Sequence, residues 1–119
     1  MYVKNVIIFD KHDEEADLLV SDGVNKVICY AYPVNNVRVN QEINSIYAFN
    51  CTDIKRVNKS ECEINKLKEY YAYSLVGKII DKKNSLVCVG QLEIYLDEPI
   101  PNDIQENEFI FFNVTRLDL

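Results

Sequence analysis

One histidine, four cysteines and a run of carboxylates are the residues of this chain whose chemistry could be put to work. His12 lies in "FDKHDEEAD", between Asp10 and Asp13. An imidazole held by a carboxylate makes a general base, but catalysis also needs a nucleophile and a pocket that excludes water. The segment offers neither. Asp10, Asp13, Glu14, Glu15 and Asp17 carry enough charge for a hard cation, yet lack the alternating oxygen ligands and the glycine of an EF-hand loop. They read as a solvated loop between two strands. Cys29, Cys51, Cys62 and Cys88 stand 22, 11 and 26 residues apart, which gives no CxxC pair and no zinc-knuckle spacing. Glycine-rich phosphate loops, GxSxG elbows and HExxH helices do not occur either. The sequence predicts no catalytic residue, no metal ligand and no cofactor.

The tyrosines point elsewhere. "KVICYAYP", residues 26–33, is apolar or aromatic at every position between its lysine and its proline. Strand alternation puts Val27, Cys29 and Ala31 on one face and Ile28, Tyr30 and Tyr32 on the other. The small residues suit a tight core, and the tyrosines either meet a covering loop or helix or face a partner. Tyr47 and Tyr95 lie in two further strand patterns. Together with Tyr30 and Tyr32 they are the predicted binding residues.

Charge ranks the partners. Thirteen basic against nineteen acidic residues leave a net charge of −6, which repels a phosphate backbone. Base stacking on tyrosine contributes roughly 1–3 kcal/mol per base, but such sites also need a cationic groove. Local basic patches, such as "DIKRVNK" with Lys55, Arg56 and Lys59, are small. An acidic surface bearing exposed tyrosines suits a basic protein, since complementary charge speeds encounter and tyrosine anchors supply hot spots. The expected function is a non-enzymatic protein-binding module, a small acidic adaptor, inhibitor or immunity-type protein. The alternative is an OB-type binder of single-stranded nucleic acid.

Any such face must be positioned by the elements around it. The 119 residues, 48% hydrophobic and 27% charged, fit one domain over residues 1–119. "MYVKNVIIFD" is too short and too interrupted for a signal sequence. No window reaches the roughly 18–20 apolar residues of a membrane-spanning helix, so the cytoplasm is the expected compartment. Abundant Asn, Ile and Lys with three arginines read as the codon usage of a low-GC bacterium or its phage.

A strand is predicted over residues 2–9, a tight hairpin at Asp22 and Gly23, and a strand within residues 43–51. Ser60 and Glu63 have capping-box spacing, and Ile64, Leu67 and Tyr71 then share a face, which predicts a short helix over about residues 61–70. Strand patterns follow at residues 73–81 and 86–97, with Gly77 and Gly90 as sharp bends. A closing strand over residues 108–119 shifts phase after Val114, as a bulge would produce.

This order of elements resembles the OB-fold. The resemblance implies a mainly β domain, a small barrel or strongly curved antiparallel sheet of six to seven strands with one short helix. It also implies that aromatics on the central strands meet the ligand.

Overall fold

Alternating apolar residues become strands along the whole chain. The computed structural model describes residues 1–119 and contains eleven strands and no helix. They are β1 (Tyr2–Asp10), β2 (Glu15–Ser21), β3 (Lys26–Ala31), β4 (Ile46–Phe49), β5 (Thr52–Arg56), β6 (Glu63–Lys66), β7 (Tyr73–Asp81), β8 (Leu86–Val89), β9 (Leu92–Tyr95), β10 (Phe109–Val114) and β11 (Arg116–Asp118). All belong to one sheet in the order β1-β2-β3-β11-β4-β9-β8-β7-β10-β5, with β6 added beside β7. The β3–β11 and β4–β9 pairs are parallel and give the sheet its mixed character. No helix is long and apolar enough to cross a membrane.

The predicted OB-like barrel is therefore corrected to an open sheet, ending at β1 on one side and β5 on the other. The strand count of six to seven is too low because long patterns break at turns. Gly90, at φ +64°, divides residues 86–97 into β8 and β9. The phase shift after Val114 marks a change of neighbours. Before it, β10 lies between β7 and β5; after it, β11 lies between β3 and β4.

The helix predicted over residues 61–70 is also overturned. Glu63–Lys66 is a strand whose residues pair with Val76, Leu75, Ser74 and Tyr73. The competition is physical. A helix this short is marginal in water, whereas one edge of β7 is left open where β8 stops, and β6 fills it with ladder hydrogen bonds. Ile64 packs against the core, while Leu67 remains exposed. Glu63 pairs with Lys59 instead of capping a helix. The Lys66 ammonium gathers the carbonyls of Leu67, Glu69 and Ala72, closing the turn that follows.

One face of the sheet supplies the core. Ala16, Leu18 and Val20 of β2 are buried together with Val27, Cys29 and Ala31 of β3, and one cluster extends from them through Ile46, Ile94 and Phe112 to Leu117. A single sheet encloses such a cluster by coiling round it, with Leu96, Ile100 and Ile104 from the segment after β9 joining it, and Gly77 of β7 sits directly against β8. There β6 gives way to β8 along the same edge. A Cβ at Gly77 would stand 2.6 Å from Val87 Cγ1, 2.8 Å from the Cys88 carbonyl oxygen and 2.9 Å from Val89 Cγ2.

The predicted hairpin lies between β2 and β3, with a turn of residues Asp22–Asn25. Asp22 Oδ1 accepts from the Val24 and Asn25 N–H groups at 2.9 and 2.6 Å. Its Oδ2 accepts from Asn25 Nδ2 at 3.0 Å and from the Gln91 N–H at 2.8 Å. The last bond reaches the β8–β9 turn, so one carboxylate locks two turns far apart in sequence. Burial alone would push its carboxyl up, but the bonds from Asn25, Val24 and Gln91 hold it down at about 2.

Candidate binding face

The face of β3 opposite the core carries Ile28 and Tyr30, and strand register extends that face across the sheet. Ile8 of β1 pairs with Asp17 of β2, Asp17 with Tyr30, Tyr30 with Asp118 of β11, Asp118 with Tyr47 of β4, Tyr47 with Tyr95 of β9, and Tyr95 with Leu86 of β8. Paired residues point to the same side of a sheet. Three of the four predicted binding residues, Tyr30, Tyr47 and Tyr95, thus lie in one lateral row. Tyr47 and Tyr95 stack, with ring centroids 5.6 Å apart and planes 19° from parallel, and Tyr47 is 53% exposed. Tyr32 is 60% exposed but follows the end of β3 and has no partner in the row.

Three-residue β11 makes the row continuous. Asp118 sits between Tyr30 and Tyr47, and the Leu119 N–H donates to the Tyr30 carbonyl at 2.9 Å. On the same face, Arg116 Cζ lies 4.6 Å from the centroid of the Tyr30 ring and 5.0 Å from that of Phe49. Its Nε and Nη2 donate to the two carboxylate oxygens of Asp118 at 2.6 and 3.0 Å. Bidentate contact with Asp118 raises the pKa of the guanidinium.

Toward β1, the face becomes an open cleft of about 160 Å³ lined by Ile8, Asp10, Glu15, Ala16, Asp17, Tyr30 and Tyr71. The Tyr30 hydroxyl donates to Glu15. That bond, with burial behind it, pushes the phenol up to about 12. The Tyr71 hydroxyl donates to Asp17 Oδ1 at 2.7 Å, and burial followed by this bond raises its pKa further. Tyr71 meets both Tyr30 and Tyr70 edge to face, at 6.0 and 4.8 Å. Residues 70–71 therefore cover part of the second face of β3, and the Tyr73 hydroxyl caps the strand's edge by accepting from the Ile28 N–H at 2.8 Å.

The acidic run differs from its predicted form. Only Lys11–Glu14 forms the turn, in which Asp10 Oδ1 accepts from the backbone N–H groups of His12 and Asp13. Glu15 and Asp17 lie within β2, and Asp17 is buried at 8% exposure. A signal for this was present, since Ala16, Leu18 and Val20 alternate with Asp17 and Leu19 and carry period two back to the acids. Tyr71 was masked by its fit to a helix face, and Arg116 by its place at a phase break. No three His, Cys, Asp or Glu side chains converge to hold a metal ion. Burial pushes the Cys29 and Cys51 thiols up, which keeps both protonated.

Two of the three side chains of the basic patch are paired with the protein's own acids. Arg56 pairs with Glu108 and Asp103, and Lys59 with Glu63, while Lys55 lies over the Phe111 ring. No protein family, curated protein or solved structure matches the chain.

Proposed function

We propose that the chain is a non-enzymatic protein-binding module and that its partner is a basic protein docking on the outer face of the sheet. The observation that carries this reading is the row Asp17–Tyr30–Asp118–Tyr47–Tyr95. It sets two carboxylates among three tyrosines, and Arg116, the basic side chain beside it, is neutralised by Asp118. Tyrosine supplies contact area at low entropy cost, and the chain's net charge of −6 steers a cationic surface toward it. The single-stranded nucleic-acid alternative requires free cations beside the aromatics, and in the Lys55–Lys59 segment Arg56 and Lys59 are paired with carboxylates.

The test is affinity capture with the immobilised chain, followed by binding measurements on the basic protein retained. Tyr47→Ala, which removes an exposed ring, is expected to weaken that complex at least fivefold, because truncating a central aromatic commonly costs more than about 1 kcal/mol. A fluorescent single-stranded oligonucleotide should show no anisotropy change at physiological salt. Submicromolar oligonucleotide affinity that collapses as salt rises would instead establish the nucleic-acid alternative.

A further inference from the structure

We infer that the cleft beside Tyr30 receives the guanidinium of an arginine side chain presented by the partner. This rests on the protein-binding reading above and names the group recognised. The same face already shows how the chain holds a guanidinium: Arg116 lies over the rings of Tyr30 and Phe49 and is forked by Asp118. In the cleft these parts recur, with Tyr30 and Tyr71 as aromatic walls and Asp10, Glu15 and Asp17 as carboxylates, and no basic side chain among the lining residues.

Asp17 supplies an independent observation. It is 8% exposed and belongs to no ion pair in the molecule. Its Oδ1 accepts from the Tyr71 hydroxyl, the Tyr70 hydroxyl stands beside the same carboxylate, and Oδ2 accepts no bond within 3.5 Å. Every sealed side-chain oxygen or nitrogen in the molecule has a hydrogen-bond partner. Oδ2 is therefore not sealed, and the opening beside Asp17 is the cleft that it lines. A carboxylate with no counter-charge and one oxygen open to the cleft favours a cationic donor that replaces water there.

An arginine completes it better than a lysine does. The guanidinium is planar, weakly hydrated and able to stack on a phenol ring while donating along two directions to carboxylates. The cleft, of about 160 Å³, is open to solvent on one side, so a side chain on a partner's surface can enter it.

The experiment uses amide NMR spectra of the whole ¹⁵N-labelled chain titrated with acetyl-arginine amide, acetyl-lysine amide and acetyl-citrulline amide, the last being an uncharged isostere of arginine. Saturable shifts are expected at Ile8, Glu15, Asp17, Tyr30 and Tyr71 with arginine, at least tenfold weaker binding with lysine, and none with citrulline. Asp17→Asn should weaken the arginine response at least tenfold. Glu15→Gln, a change at a half-buried strand end, should weaken it at least threefold and keeps the test decisive if the buried substitution fails to fold. No saturable binding, shifts scattered over the acidic surface, equal binding of lysine, or an unaltered response in a folded Glu15→Gln protein would each overturn the assignment. The small probe reads the cleft alone. Arginine binding there with no basic protein captured would sink the protein-binding reading and leave the cleft assigned, while capture undiminished by both cleft variants would do the reverse.

Discussion

Asp22→Asn is the substitution whose consequence follows most directly from the geometry. All four groups facing the Asp22 carboxylate are donors: the Val24, Asn25 and Gln91 N–H groups and Asn25 Nδ2. An asparagine there removes the charge and turns an NH₂ toward donors, so the loss appears in the folded state. The carboxyl titrates at about 2 in the fold against an ordinary value of 3.8, and at about 1.4 kcal/mol per unit this corresponds to roughly 2 kcal/mol. The folded pKa is depressed, so this stability is fully present above pH 3.8 and disappears as pH falls through about 2. Linkage leaves roughly half of it at pH 3. Urea denaturation of wild type and variant, followed by tyrosine fluorescence between pH 7 and pH 3, should show a gap of about 2 kcal/mol that narrows by about half over that range. A gap that does not change with pH, or one below about 0.5 kcal/mol at pH 7, would refute the idea that this carboxylate ties the two turns together.

Two further substitutions test how the sheet is held. Gly77→Ala should destabilise the fold by about 2 kcal/mol through overpacking, since its new Cβ meets Val87, Val89 and the backbone oxygen of Cys88 all within 3.0 Å; a neutral or stabilising result in urea denaturation would mean that β8 does not pack this closely on β7. Tyr73→Phe keeps the ring but leaves the Ile28 N–H without its acceptor, a loss of about 1–3 kcal/mol. Hydrogen exchange at the Ile28 amide should accelerate beyond the change in global stability, and unchanged protection would sink the edge-capping role of the hydroxyl.

Local alternation was enough to read β3 and its two faces. Val27, Cys29 and Ala31 are buried, and Tyr30 turns the other way. The placement of Tyr30, Tyr47 and Tyr95 in one row was beyond that reading, because it depends on β11 separating β3 from β4 and on β4 pairing in parallel with β9. Such pairings join residues far apart in the chain and leave no periodic trace within either segment. The Ser60–Glu63 capping pattern misled for a related reason. Its local preference was real, but an open length of β7 edge offered backbone partners that a helix of that length could not match. Asp17 was hidden by its neighbours: five acids within eight residues resemble a solvated loop, although the last of them stands between Ala16 and Leu18 in a buried strand.

A coiled sheet with one core has an outer surface that only needs to be compatible with water, and much of this one is ordinary. The register row Phe109–Lys78–Cys88–Glu93 mixes one aromatic residue with a cation and an anion. The row through Tyr30 departs from that pattern in two ways. It concentrates tyrosines where charged residues would keep the surface soluble, and it buries Asp17 between Ile8 and Tyr30 with no counter-ion. An apolar residue of similar size at that position would avoid the desolvation cost of the carboxylate. Strand β2 thus holds an acid where stability alone favours none, beside Tyr30, the ring over which Arg116 lies. A stability cost confined to one end of an aromatic row is the kind that binding offsets.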